Sequence, residues 1–501
     1  MNAFSRRGAC PALSAPMQTG DGLLVRLNPV TGGLSPNLLI RLGESALRHG
    51  NGIMEVTARG SLQIRGLSAE SARMLAAEVD ALGIEVRTSV PVEIGPLAGI
   101  DPEEIADPRP LAERIRTAIE EAGLTARLGP KVSVVVDGGG QLSMDAVGAD
   151  VRLKAVRAGE DVRWAVLVAG DGRSGKPLAT VDADAARDIA VAALRMVAEK
   201  GREAHTRDLS ERQLASLAGW RSFAPPSVLP DISPTRGEID PSRAVSPISG
   251  AERAQHISTF AWEALPSAEL PISSLVGEMS GRTEGGAVER PRLPIGLFNV
   301  DEGTALGIVL PFGSMPAQNL VELATKAADL GSTEIRLAPS RALLVLGLSP
   351  SACASLQSTA ATLGFVTSPT DPRTRIAACP GTPACASGNI ATRTIAETIA
   401  AQSPELLDTS LTLHISGCAK GCAHPGVAKL TLVGDENGAG LVVDGTAKTL
   451  PAGYRPGYDA ARGVAAIAAA VRGERHQGET AAACLTRLGA AGIAELYRRN
   501  Q

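Results

Sequence analysis

Residues 22–67 read GLLVRLNPVTGGLSPNLLIRLGESALRHGNGIMEVTARGSLQIRGL, and residues 303–348 read GTALGIVLPFGSMPAQNLVELATKAADLGSTEIRLAPSRALLVLGL. Each stretch predicts a strand, an amphipathic helix and a pair of strands that ends in Gly-Leu. Both helices carry a serine and a proline at the start and a glycine after the last turn: Ser35, Pro36 and Gly50; Ser314, Pro316 and Gly331. Two unrelated units can resemble each other by chance, but the matched signals favour a duplication within the chain.

A longer stretch of alternating strands and helices follows each copy. In the first half we predict strands at 131–139 and 163–170 and helices at 110–123 and 184–200. In the second half we predict strands at 411–417, 428–434 and 440–445 and a helix at 459–472. Between the halves, residues 225–247 hold six prolines, which indicates a connecting segment. Such a pseudo-two-fold plan places a shared cavity between the halves.

The composition excludes several classes of protein. At 501 residues the chain is too long for a single core. Its 2% aromatic content leaves few rings for stacking on nucleic acid, and its net charge of −4 indicates no polyanion-binding surface. Seven cysteines are too few for a disulfide framework and indicate a reducing, cytoplasmic location. No apolar run is long enough to span a membrane, and the first 20 residues lack the apolar core of a secretory signal.

Four cysteines near the C-terminus form two pairs. Cys379 and Cys385 lie in CPGTPAC, and Cys418 and Cys422 lie in SGCAKGC. Four thiolates brought together would bind zinc or an iron–sulfur cluster, and neither pair has the C-x2-C spacing that zinc sites favour. The alternative is four unrelated buried thiols. A helix predicted after Cys385 would place its positive end near the sulfurs, and nearby glycines would let backbone amides approach them.

These motifs resemble the sulfite/nitrite reductase superfamily, whose siroheme-linked 4Fe–4S cluster is held by C-x5-C followed by C-x3-C. The segment 49–66, which contains T-x-R-x-x-x-Q, and the segment 128–140 resemble two further motifs of the superfamily. The resemblance implies an α+β fold with two ferredoxin-like units and two larger α/β units in pseudo-two-fold order. The expected divisions are an arm at 1–15, ferredoxin-like units at 16–84 and 256–365, α/β units at 85–222 and 366–501, and a proline-rich linker at 223–255.

Within the superfamily, SGCAKGCAHPG and the stretch 95–111 resemble the precorrin-3B synthases of aerobic cobalamin biosynthesis. Siroheme reductases more often carry Pro-Asn where this chain has Ala419 and Lys420, and their second active-site lysine falls on Ser133. The resemblance implies O2-dependent hydroxylation of precorrin-3A with lactone formation. It also implies a 4Fe–4S cluster that relays electrons and a mononuclear non-haem iron that activates O2. The alternative is a siroheme-dependent sulfite or nitrite reductase, and a third hypothesis is a non-catalytic metal protein.

The resemblance also assigns substrate-binding residues, because arginine binds carboxylates in bidentate fashion and the substrate is a polycarboxylate. Arg59 and Lys131 would bind carboxylates, and Gln63 would orient a polar group. Arg65 is a further anchor predicted from strand alternation, since positions 59, 61, 63 and 65 share a face. The alternative for each arginine is a solvated surface charge.

Several features have no local signal. We assign no ligands to the second iron: His424 lies near Cys422, and His414 on its predicted strand is expected to be structural. The chain shows no dinucleotide-binding or flavin motif, so the electron donor should be a separate ferredoxin or NAD(P)H-dependent reductase. We expect a monomer, because the duplication already supplies the two-fold partner.

Overall fold

The computed structural model describes residues 11–30, 32–218 and 292–499. The predicted linker at 223–255 and the beginning of the predicted unit at 256–365 lie outside these ranges. None of the helices in the described ranges is long and apolar enough to cross a membrane.

The first half begins with the elements β1 (Met17–Thr19), β2 (Gly22–Leu27), β3 (Gly33–Leu34), α1 (Pro36–His49), β4 (Ile53–Val56), β5 (Leu62–Leu67) and α2 (Ala69–Ala81). It continues with β6 (Val92–Ile94), α3 (Arg109–Glu121), β7 (Val134–Asp137), β8 (Ala149–Ala158), β9 (Asp161–Gly170), β10 (Lys176–Val181), α4 (Ala183–Lys200) and α5 (Glu211–Ala218).

The second half begins with β11 (Gly296–Val300), β12 (Gly303–Val309), β13 (Ser314–Pro316), α6 (Ala317–Asp329), β14 (Glu334–Ala338), β15 (Ala342–Leu348) and α7 (Pro350–Thr362). It continues with β16 (Ile376–Ala378), α8 (Thr392–Gln402), β17 (Leu413–Ser416), β18 (Ala428–Asp435), β19 (Gly438–Gly445), β20 (Gly453–Arg455), α9 (Ala460–Glu474) and α10 (Ala481–Arg498). The two halves therefore repeat one order of elements, as the paired sequence stretches predict.

The strands form sheets in matched pairs. Sheet 1 has the order β1-β2-β5-β4-β13, and sheet 3 has the order β11-β12-β15-β14-β3. Sheet 2 (β10-β9-β8-β7-β6) and sheet 4 (β16-β17-β18-β19-β20) share another topology, in which three neighbouring strands are parallel and the remaining pairs are antiparallel. The larger α/β units are therefore built around sheets 2 and 4.

Sheets 1 and 3 exchange one short strand. β3 leaves the first half to pair with β14, where Leu34 lies opposite Ile335. β13 leaves the second half to pair with β4, where Met315 lies opposite Met54. One continuous hydrophobic core then runs through both halves and contains Leu39 and Leu42 of α1 together with Leu320 and Leu323 of α6. Each half therefore completes the sheet of the other.

The helix signals are partly as predicted. Ser35 caps α1 by accepting a hydrogen bond from the Leu38 amide at 3.3 Å, Pro36 is the first helical residue, and Gly50 ends the helix. The prediction for α6 is wrong in one respect. Ser314 belongs to β13, and the cap position is Pro316, which has no side-chain hydrogen bond. The start of α6 is instead fixed by the pairing of the preceding strand, β13, with β4 of the first half.

The crossing of α1 and α6 depends on Gly43. A Cβ at this position would lie 2.5 Å from Val321 Cγ2, and valine is too stiff to move aside at little cost. We predict that Gly43→Ala lowers the free energy of unfolding, although alanine favours an isolated helix by about 1 kcal/mol. Urea denaturation measures this.

The double variant Gly43→Ala/Val321→Ala removes the clash and should recover part of the loss. A Gly43→Ala protein that is as stable as the parent chain would show that the helices can separate freely at this point.

The loop between β6 and α3 carries Glu104, whose carboxylate accepts a hydrogen bond from the Gly99 amide at 2.8 Å. Burial raises the pKa of Glu104 to about 7; the hydrogen bond opposes this rise, while Asp107 and Asp101 add to it. The folded protein therefore holds a proton here that the unfolded chain releases near pH 4.5. Stability supplied through this group is lost as the pH rises toward 7.

We predict that Glu104→Gln raises the melting temperature at pH 8 and has little effect at pH 4.5, because glutamine keeps the acceptor and cannot ionise. Glu103→Gln, at the neighbouring exposed position, is the matched control. If Glu104→Gln changes the melting temperature by the same amount at pH 8 and at pH 4.5, the raised pKa of Glu104 is contradicted.

Candidate cluster site and adjoining cavity

Both cysteine pairs lie at the carboxyl ends of two neighbouring parallel strands. Cys379 directly follows β16, and Cys418 follows β17, which pairs with β16 through Ala378 and Ile415. Carboxyl ends of parallel strands meet at one edge of a sheet, where ligands commonly bind. The two motifs are thus brought together at one corner of sheet 4.

Glycines let the two cysteine loops pack backbone against backbone. The Gly417 amide donates a hydrogen bond to Cys379 Sγ at 3.1 Å. A Cβ at Gly417 would lie 3.1 Å from Gly381 Cα and 3.2 Å from Gly388 Cα, so a side chain would push the loops apart. Lys420 Nζ donates to Ser387 Oγ at 2.9 Å and joins the loops on the outside. The predicted approach of a backbone amide to a sulfur is therefore seen at Cys379.

The four thiols are close enough to influence one another. Burial raises the pKa of the Cys422 thiol, and Cys379, Cys418 and Cys385 raise it further. None of the four forms a disulfide, and they range from the buried Cys379 to the exposed Cys422. Within the described ranges no three His, Cys, Asp or Glu side chains are arranged to hold a single metal ion. By donor type, four thiolates are soft ligands that fit an iron–sulfur cluster.

The helix expected directly after Cys385 begins later. Residues 386–391 form a loop, and α8 starts at Thr392, whose hydroxyl donates to the Cys379 carbonyl. The prediction placed the helix start too early, because the glycine-rich loop must first turn around the sulfurs. The helix is therefore tied to the corner through the Cys379 backbone.

Two histidines lie beside the second cysteine loop. His414 on β17 is fully buried, and neither ring nitrogen has a hydrogen-bond partner among the described residues. Burial and, to a smaller extent, His424, whose ring centroid lies 5.7 Å away, lower the pKa of His414 to about 4. His424 Nε2 lies 3.3 Å from the Val427 carbonyl. His414 is therefore neutral and packed, as expected for a structural residue.

Residues of and beside sheet 1 bind the loop that contains Cys379 and Cys385. Arg65 is 3% exposed and makes a bidentate pair with Asp21, at 2.9 and 3.0 Å, and a 3.3 Å bond to Glu55. Its Nη2 also donates to the carbonyl of Ala384, the residue before Cys385. The Gly20 amide donates to the same carbonyl at 3.2 Å. These pairs do not support the prediction of Arg65 as a substrate anchor, since its donors are used within the protein.

Gln63 lies on the same face and is also buried. With its amide nitrogen facing Glu55, Nε2 donates to Glu55 Oε2 at 3.0 Å and Oε1 accepts from Arg26. Arg26 in turn lines a cavity of about 760 Å³ between sheet 1 and the first α/β unit. Gln63 therefore positions an arginine at the cavity wall.

Arg59 and Lys131 lie together at a cavity rim. Both line an open cavity of about 570 Å³. Arg59 Nη1 donates to Ser133 Oγ at 3.1 Å, Nη2 donates to the Gly148 carbonyl, and the side chain remains 41% exposed. Lys131 is exposed. Arg59 also lines an adjoining cavity of about 420 Å³ whose other cationic residues are Arg87, Arg109, Arg116 and Arg336.

The 420 Å³ cavity also contains an acid, Glu93, that no sequence pattern indicates. Glu93 Oε1 lies 3.8 Å from Arg59 Nη1, and its other oxygen is buried without a hydrogen-bond partner among the described residues. Burial raises the pKa of Glu93, against the opposing influence of Arg59, Arg87 and Arg26. No local pattern marks Glu93, because it lies on a three-residue strand with no motif around it.

Known proteins resemble the chain at several levels. Residues 15–82 match the family described as the nitrite/sulfite reductase ferredoxin-like half domain. A precorrin-3B synthase from Sinorhizobium sp is 38% identical over 497 residues, which cover 99% of this chain and 96% of the relative. The chain belongs to the precorrin-3B synthase family. It is an oxidoreductase of the monooxygenase type, with the α+β fold expected from the repeat and the motifs.

More distant relatives place this precorrin-3B synthase family within its superfamily. A ferredoxin–nitrite reductase from Synechococcus elongatus is 24% identical over 466 residues, covering 90% of this chain and 83% of the relative. The solved structure of the Mycobacterium tuberculosis NirA protein has a TM-score of 0.62 at 18% identity and covers 93% of this chain and 83% of that one. Proteins of this superfamily use iron–sulfur and siroheme cofactors, and the reductase alternative is supported by these distant relatives alone.

Proposed function

We propose that this chain catalyses the O2-dependent hydroxylation of precorrin-3A and the accompanying lactone formation, in aerobic cobalamin biosynthesis. Similarity over nearly the full length to a precorrin-3B synthase carries the proposal. A monooxygenation puts one oxygen atom into the substrate and reduces the other to water. Two electrons and two protons must therefore come from outside the substrate.

Cys379, Cys385, Cys418 and Cys422 are proposed to hold a 4Fe–4S cluster. When bound, such a cluster supplies single electrons. The family resemblance adds a mononuclear non-haem iron, for which the described residues form no three-ligand site. The chain's own contribution is to hold four thiolates at one corner, to stabilise one of them through the Gly417 amide, and to fix the Cys385 loop through Arg65 and Gly20. The electron donor is proposed to be a separate ferredoxin or NAD(P)H-dependent reductase acting on a monomer.

Arg59 and Lys131 are proposed to bind acidic side chains of the tetrapyrrole. Both are accessible at the cavity rim, and Arg59 is oriented by Ser133 and the Gly148 carbonyl. Gln63 would act through Arg26 rather than by touching the substrate. Glu93 faces the adjoining 420 Å³ cavity, which Arg59 also lines, and burial raises its pKa. If Glu93 takes up a proton, a substrate carboxylate can replace it beside Arg59 without adding net buried charge.

The siroheme-dependent reductase is the second candidate, favoured by the distant nitrite reductase relative. Siroheme gives an intense Soret-type absorption band, whereas an iron–sulfur cluster gives a broad shoulder. A strong Soret band in the purified protein would support the reductase.

We predict that Cys418→Ser and Cys385→Ala each abolish the brown colour and the activity together, because three thiolates retain a cluster poorly. Iron and sulfide per chain, measured after anaerobic purification, check this. Cys484→Ala removes a buried thiol outside the corner and should change neither value. Full iron and sulfide in Cys418→Ser would exclude this residue as a ligand.

We predict that Arg59→Ala weakens the binding of precorrin-3A by about 1.5–3 kcal/mol, the usual strength of a charge-assisted contact. Arg59→Lys should lose less, because it keeps the charge. Arg157→Ala, on the exposed end of β8, is the matched surface control. An unchanged dissociation constant in Arg59→Ala would show that Arg59 is a solvated surface charge that does not bind the substrate.

A further inference from the structure

Arg341 occupies an unusual place in the second half. It lies in the turn between β14 and β15, where Ser340 and Arg341 have φ values of 63° and 68°. Such a turn favours glycine and asparagine, because larger residues are strained in the left-handed region. A strained arginine at this turn suggests that its side chain has a task there.

The Arg341 guanidinium has no hydrogen-bond or ion-pair partner among the described residues. Its electrostatic neighbour is another cation, since burial lowers the pKa of Arg341 and the Arg393 guanidinium lowers it further. Partly buried cations side by side are unfavourable unless an anion joins them. The equivalent turn of the first half carries Arg59, which by contrast has protein partners.

Arg393 has one donor that no described group uses. Its Nη2 forms an ion pair with Glu55 Oε1 at 2.7 Å, whereas its Nε is buried without a partner among the described residues. Arg393 stands in the first turn of α8, whose start has no side-chain cap. The free amides and the dipole at a helix start favour an anion, and Arg393 in this first turn is close enough to influence the Arg341 guanidinium.

The position of this pair connects it to the cavity. The turn that holds Arg341 touches the turn that holds Arg59, because the Ser340 amide donates to the Ala58 carbonyl at 2.9 Å. Pro339 and Gly60, one from each turn, both line the 420 Å³ cavity. α8 follows the loop of Cys379 and Cys385 in the chain, and Arg393 on α8 pairs with Glu55 on β4, the strand before the turn that holds Arg59.

We propose that Arg341, Arg393 and the uncapped start of α8 form a carboxylate subsite that takes an acidic side chain of the tetrapyrrole from the half opposite Arg59. This inference rests on the proposed function and adds a second point of attachment to it. A macrocycle with carboxylates around its rim would then be held from both halves across the seam.

The test uses the cluster-loaded protein and uroporphyrin III, an octacarboxylate tetrapyrrole, with dissociation constants measured by fluorescence polarisation. Arg341→Ala should raise the dissociation constant about tenfold or more, as expected for a lost charge-assisted contact. Arg341→Lys should restore part of the affinity. Arg472→Ala, on the exposed surface of α9, is the control and should leave the value unchanged. The octamethyl ester, which lacks the carboxylates, should bind the parent chain and Arg341→Ala equally.

Three outcomes would overturn the subsite. An unchanged dissociation constant in Arg341→Ala, with weaker binding in Arg59→Ala, would reject the subsite and leave the proposed function intact. Loss of iron and sulfide in Arg341→Ala at unchanged affinity would show that the arginine serves the cluster instead. Failure of the parent chain to bind uroporphyrin III would reject the tetrapyrrole pocket itself, and the subsite with it. Melting temperatures of Arg341→Ala and Arg341→Lys that match the parent chain show that both variants are folded.

Discussion

The exchange of β3 and β13 between the halves is the constraint on which the rest of the structure depends. Each is too short to be a stable strand alone, and each pairs with a strand of the other half. The exchange forces α1 against α6 and merges two small cores into one. It also brings the turns of Arg59 and Arg341 into contact, beside the 420 Å³ cavity that residues of both halves line.

The duplicated scaffold becomes asymmetric through side chains on equivalent strands. Gln63 and Arg65 on β5 correspond in the repeat to Leu344 and Leu346 on β15. The first pair belongs to a buried polar network that holds the Ala384 carbonyl, whereas the second packs against Leu97 in the loop after β6. One half therefore uses this face to fix the cysteine loop, and the other fills the equivalent space with hydrocarbon. Two similar halves therefore contain a single cysteine corner.

Much of the fold could be predicted from the sequence, because helix starts and stops and alternating strands are local signals. Ser35, Pro36 and Gly50 delimit α1 as expected, and the pairing of CPGTPAC with SGCAKGC follows from two adjacent strands. What could not be predicted depends on distant partners. The two-residue strand β3 carries no pattern of its own. Strand alternation places Arg65 on the face of Gln63, but its contact with the Ala384 carbonyl, 319 positions away, has no local signal. Arg341 carries no sequence signal, because an arginine in a turn is usually solvated.

The pairing of β3 with β14, about 300 residues later in the chain, affects folding during synthesis on the ribosome. Leu34 leaves the exit tunnel long before its partner Ile335 has been translated. At the rate of translation that delay amounts to tens of seconds, during which the open edge of β4 also waits for β13. Unpaired edges attract other chains, so the nascent protein should need a holding chaperone until its second half emerges.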